Sequence, residues 1–100
     1  MGLDFAIDAL YETGWSSAEA RETRRHADGR AYPTEPLVRA FFAEQGYTLS
    51  VRHIQLFDCH RAEWTSESGQ PQGAVVGQTA DEAAVFAMSQ LRRQLVASRD

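Results

Sequence analysis

His53, Asp58, Cys59 and His60 bring together side chains with the chemistry of metal ligands and thiol nucleophiles. Imidazole, thiolate and carboxylate groups bind zinc, and a Cys–His pair is the centre of many nucleophilic enzymes. Their spacing works against both uses. Neighbouring residues on a strand point to opposite faces, so Cys59 and His60 reach a common metal only if the chain turns between them. A Cys–His nucleophile also needs an orienting third group and an oxyanion site, and the sequence marks neither. Cys59 is the single cysteine, which excludes an intramolecular disulfide and an all-thiolate cage. The expectation is that Cys59 packs as a small hydrophobe, that His53 and His60 are half-exposed strand residues, and that the chain needs no cofactor.

A second grouping is basic: Arg21, Arg24, Arg25, His26 and Arg30. It has the charge to contact phosphate or an acidic partner. Glu19, Glu22 and Asp28 are interleaved with it, and Glu22 and His26 would be i, i+4 neighbours on a helix, so local pairing absorbs part of that charge. Trp15, Tyr32 and Trp64 offer rings either for an aromatic recognition patch or as packing anchors. Trp15, placed just after a helix stop, is the candidate partner-binding ring. Asp4, Asp8 and Glu12 share one face of the first helix. They are expected to form a solvated acidic face opposite the apolar stripe.

The elements that must position these groups are written in the local signals. Leu3, Ala6, Ile7 and Leu10 recur at helical spacing and Gly14 stops the run, giving a helix over 3–13. Residues 14–33 read as a connector. Within it a polar helix starts at Ser16 or Ser17 and ends near Arg25, and Asp28-Gly29 marks a turn. Thr34 opens the next helix with Pro36 in its first turn. Leu37, Val38, Phe41 and Phe42 form its apolar stripe, and Gly46 caps it. Alternation then predicts a strand over 47–57. Tyr47, Leu49 and Val51 are odd-numbered while Ile54 and Leu56 are even, so a bulge is expected near Arg52-His53. A second strand follows over 60–66, a hairpin connection over 66–73, and a third strand over 74–77. Gly77 gives the exit, and Thr79 and Glu82 make a capping box. The last helix runs from about Ala80 to Ala97, with Ala84, Ala87, Met88, Leu91 and Leu95 as its buried stripe and Arg92, Arg93 and Arg99 near its end.

The resulting fold class is α+β: a three-stranded antiparallel sheet with helices packed on it, in the order α-β-β-β-α over 34–97, plus an extra N-terminal helix. Two helices cover one sheet face. Apolar residues in both phases of the first strand suggest that the second face is also covered, by the N-terminal helix or by another subunit.

Residues 34–95 resemble the double-stranded-RNA-binding domain. The Pro-led helix, the β-meander and the run Gly77-Gln78-Thr79-Ala80-Asp81-Glu82-Ala83, with Ala87 beyond, carry the resemblance. A similar helix start occurs in small phage α-β-β-β-α proteins and in HicB-like antitoxins; the helix ahead of the strands favours the first two groups. That RNA-binding family holds phosphates with a basic cluster where this chain has Asp81 and Glu82. Its minor-groove loop has a Gly-Pro-x-His pattern, whereas here the stretch is Phe57-Asp58-Cys59-His60. The resemblance therefore implies the fold and argues against duplex RNA as a partner.

Composition sets the remaining bounds. A chain of 100 residues with 43% hydrophobic and 24% charged residues is a globular domain of modest stability, read as one unit over 1–100. All ten basic residues are arginine, with no lysine and no asparagine, a bias typical of GC-rich bacterial or phage genomes. The formal charge of −4 disfavours nucleic-acid binding through the overall field. No apolar run is long enough to cross a membrane, and the first residues carry Asp4 and Asp8 rather than a basic leader, which implies the cytoplasm. The expected function is a non-catalytic protein-interaction module binding a protein partner or itself as a homodimer. The alternatives are nucleic-acid binding through Arg21–Arg30, and a metal- or thiol-dependent enzyme using His53, Cys59 and His60.

Overall fold

The computed structural model describes residues 2–19 and 23–97. Their order is α1 (Leu3–Glu12), a 3₁₀ turn (Ser17–Glu19), β1 (Thr23–Arg25), β2 (Ala31–Pro33), α2 (Glu35–Glu44), β3 (Tyr47–Ile54), β4 (Cys59–Ser66), β5 (Pro71–Gly77) and α3 (Ala80–Ala97). The class is α+β. The α2-β3-β4-β5-α3 core has its three strands antiparallel in the order β3-β4-β5.

Local chemistry explains the helix ends. The Thr34 hydroxyl accepts from the Leu37 amide at 3.4 Å, and Pro36 occupies the first turn of α2, where no intrahelical bond is lost. Gly46 turns out of α2 at φ +89°, in the left-handed region that favours glycine. At α3, the Glu82 amide donates to Thr79 Oγ1 at 3.0 Å. The return arm of the capping box, from the Glu82 carboxylate to the Thr79 amide, is absent among the described hydrogen bonds.

The core lies between the sheet and the helices. Leu49, Ala62 and Trp64 point from the sheet into Val38, Phe42, Ala84, Val85, Met88 and Leu91. Trp64 is 1% exposed, with its ring 5.3 Å from that of Phe42. The buried surface of α3 is broader than the predicted stripe, taking in Ala83, Val85 and Ser89. The reason is that α3 packs against the sheet, α2 and α1 together.

The structure corrects four expectations. First, the described residues of the expected polar helix, from Ser16 or Ser17 to near Arg25, form a 3₁₀ turn at Ser17–Glu19 and a strand at Thr23–Arg25, while residues 20–22 lie outside the described residues. After the 3₁₀ turn, β1 and β2 form a two-stranded antiparallel ribbon pairing Thr23 with Pro33, Arg24 with Tyr32 and Arg25 with Ala31. The polar segment lacks an apolar stripe to hold a helix, whereas the ribbon is anchored by the buried Tyr32 and Pro33. Second, β3 has no bulge at Arg52-His53. Its pairing with β4 runs unbroken from Tyr47↔Ser66 to Ile54↔Cys59. The change of phase reflects Ile54, the last residue of β3, facing the second side of the sheet, while Leu56 belongs to the turn. The register shift lies instead between Trp64 and Thr65, against β5. Third, β5 starts at Pro71, which leaves a tight turn closed by Ser66 N–H donating to the Gln70 carbonyl at 2.9 Å. Proline at the first position of an edge strand sacrifices no ladder bond. Gly73 is part of the strand, paired with Trp64, and a Cβ there would stand 2.4 Å from the Trp64 ring. Fourth, the second sheet face is not covered by α1, which packs on α3. By alternation that face carries Thr48, Ser50, Arg52, Arg61, Glu63 and Thr65, with Ile54, Cys59, Ala74 and Val76 as an apolar strip toward the β3–β4 turn and the β5 edge.

Candidate interaction surface

The β3–β4 turn, Gln55 to Asp58, places two bulky apolar side chains at the tip of the sheet. Leu56 is 83% exposed and Phe57 73%. The turn itself is well made. Phe57 N–H donates to the Ile54 carbonyl at 3.3 Å, and Asp58 N–H to the Gln55 carbonyl at 3.2 Å. Asp58 takes a left-handed conformation, φ +48°, which Asp tolerates better than most residues. Its carboxylate lies 3.0 Å from His53 Nε2. A tip with apolar residues held on a paired β-ribbon is a preformed protrusion rather than a loose loop. By sequence alone Leu56 and Phe57 count as strand residues; the signal that distinguishes them is their loss of phase directly before Asp58.

Below the tip, His53 and His60 face each other across the strands, with ring centroids 4.9 Å apart. Cys59 is half-buried and pairs with Ile54, which puts it on the opposite sheet face from the two imidazoles. The structure thus brings His53, Asp58 and His60 together and keeps Cys59 away from them. Among the described residues, no group of three or more His, Cys, Asp or Glu side chains is arranged to hold a metal ion.

The arginine segment forms a brace between elements. Arg21 lies outside the described residues, as do Glu22 and Arg99. Arg24 Nη1 is 3.4 Å from Asp81 in the first turn of α3, and Arg25 Nη1 donates to the Gly29 carbonyl at 2.9 Å. Arg30 binds Asp28, with Nε donating at 2.8 Å, and also pairs with Asp8 of α1. The acidic face of α1 is therefore engaged: Asp8 holds Arg30, and Glu12 lies 3.3 Å from Arg93. Arg30 raises the acidity of Asp28 by hydrogen bonding, holding its carboxyl below the usual range, and is itself held above its usual value by Asp28 and Asp8.

Tyr32 joins this brace, its hydroxyl 3.5 Å from Asp81 Oδ2. Burial first, and the Asp81 charge second, raise its pKa above the ordinary 10.0. A group whose neutral form is favoured in the folded state gives stability that is present below its unfolded pKa and is lost as pH rises through the folded one. Unfolding midpoints measured from pH 9 upward should therefore fall from about pH 10 in the parent. That component should disappear in Tyr32→Phe.

Trp15 is 5% exposed and stacks near Tyr11 at 5.5 Å. It presents no free ring and forms the wall of a shallow open groove with Leu37, Phe41, Met88 and Arg92. Arg92 closes the groove's end by donating from Nε to Thr13 Oγ1 at 2.7 Å. Gly77 serves packing, since a Cβ there would lie 2.7 Å from the Ala83 amide nitrogen; glycine lets β5 run close beneath the start of α3. No helix among the described residues is long and apolar enough to cross a membrane. Compared with family models, curated proteins and solved structures, the chain matches none of them.

Proposed function

We propose that this chain is a non-catalytic protein-interaction module that engages a partner protein through the β3–β4 tip. The observation that carries this is the paired exposure of Leu56 and Phe57, 83% and 73%, on a turn fixed by its own hydrogen bonds. Burying such side chains in a partner's pocket is worth about 1.5–3 kcal/mol each, enough to anchor a specific complex. The element order of the core resembles that of double-stranded-RNA-binding domains. Asp81 and Glu82 at the start of α3, and the net charge of −4, disfavour phosphate there. The arginine ribbon is a weaker surface for nucleic acid, since Arg24, Arg25 and Arg30 are each engaged within the chain.

The test uses a photo-crosslinking residue at position 57 in cells that make the protein, followed by reconstitution with the captured protein. Leu56→Ser/Phe57→Ser should lower its affinity at least tenfold, on the order of the lost apolar burial. Its unfolding free energy should stay within about 0.5 kcal/mol of the parent, as for exposed positions generally. Equal affinity of parent and double variant would refute the tip as the binding element.

A further inference from the structure

Strand order β3-β4-β5 leaves β3 and β5 as the two edges of the sheet. An edge offers N–H and C=O groups to any approaching chain, and proteins blunt such edges with charges, prolines or side chains laid across them. β3 is blunted. Arg39 reaches from α2 and donates Nη1–H to the Leu49 carbonyl at 2.7 Å, and Arg52 and His53 stand in the strand. β5 is Pro71-Gln72-Gly73-Ala74-Val75-Val76-Gly77, without one charged residue, and its proline is at the end away from the valines. Ala74 and Val76 are exposed, Val76 at 49%.

The outward main-chain groups of β5 follow from the ladder. Leu49 aims its carbonyl away from β4, so Leu49↔Trp64 is a non-hydrogen-bonded pair. Alternation across β4 then makes Trp64↔Gly73 and Ala62↔Val75 the bonded pairs on its other side. Ala74 and Val76 consequently turn their N–H and C=O groups toward the free edge.

We propose that β5 pairs antiparallel with β5 of a second copy, joining two sheets into one continuous sheet about a two-fold axis. In the register that uses these outward groups, Val75 faces Val75 of the second copy across the axis. Ala74 and Val76 exchange hydrogen bonds with Val76 and Ala74 of that copy. A two-fold interface sets one surface against itself, so a charged edge would meet like charge. The uncharged β5 is compatible with itself in a way that β3 is not. This pairing uses a surface separate from the hairpin tip and stands independently of it.

The test is light scattering on the full chain across a range of concentrations. The parent should rise from 11.2 kDa toward about twice that mass. Ala74→Pro removes an outward N–H while breaking no internal ladder bond, and should remain at single-chain mass with unchanged circular dichroism and unfolding midpoint. A Cys59→Ala background isolates the register. There Val75→Cys should form a covalent dimer on mild oxidation and Val76→Cys should not, because non-bonded pairs stand about 4.5 Å apart between Cα atoms, within disulfide reach. A parent that keeps single-chain mass at the highest concentration overturns the pairing. So does an Ala74→Pro variant that associates like the parent, or cross-linking through position 76 rather than 75. Binding of the tip's partner by Ala74→Pro separates this result from the fate of the tip.

Discussion

Trp64→Ala is expected to cost about 3–5 kcal/mol of unfolding free energy, in line with large-to-small changes of fully buried aromatic residues. Trp64 is the largest fully buried side chain and is enclosed on several sides. Phe42 of α2 lies against one side of its ring, and Gly73 of β5 stands so close that even a methyl group would collide with it. Neither neighbour can move inward without dragging a helix or a strand, so the cavity would persist. Small domains have about 5–15 kcal/mol in total, so the variant should be partly unfolded near its growth temperature. Urea titration followed by circular dichroism checks this. Trp64→Phe supplies the contrast. The Trp64 indole N–H has no acceptor among the described residues, so removing it relieves an unpaired buried donor. The loss should be well below half of that in Trp64→Ala. A Phe variant as damaged as the Ala variant would show that the indole N–H has a partner, such as a bound water.

Signals confined to a few neighbouring residues are the legible part of this fold. Thr34 with Pro36, Gly46, and Thr79 ahead of Glu82 state where helices begin and end, because capping is chemistry within one turn. The alternation of Tyr47, Leu49 and Val51 likewise states a strand. What cannot be read requires knowledge of a distant partner. The β1–β2 ribbon has few apolar residues of its own and is held by Tyr32 against α3 and by Arg30 against α1. Gly73 resembles a turn residue, yet its lack of a side chain answers the bulk of Trp64 on the next strand. The His53–His60 contact depends on the hairpin register, which follows from a turn centred between Leu56 and Phe57. When that turn is counted as strand, Leu56 adds to Ile54 as weight toward a covered second face. In the structure Leu56 and Phe57 stand at the tip of the hairpin rather than on a sheet face.

Removing residues 1–13 is expected to abolish cooperative unfolding, because α1 is part of the core rather than an appendage. Ile7 and Leu10 are fully buried, with Ala6 and Ala9 beside them. Restoring Ile7 and Leu10 to water forfeits about 1.5–3 kcal/mol each, and the face of α3 that they cover would be exposed as well. Phe5 packs edge-on against Phe86 at 5.9 Å. Tyr11 donates its hydroxyl proton to the Ala31 carbonyl at 2.7 Å, which ties α1 to β2. Arg92 would lose Thr13 at the groove's end. Set against about 5–15 kcal/mol for a domain of this size, the sum leaves little. The truncated chain should show a broad, shallow urea transition and bind an apolar dye strongly. A sharp transition near the parent midpoint would instead mean that α2-β3-β4-β5-α3 folds alone. The distinction governs how self-association is tested. A truncated chain with α3 uncovered would aggregate through that helix, whatever β5 does. Only the full chain, with α1 in place, leaves the β5 edge as the apolar backbone available for pairing.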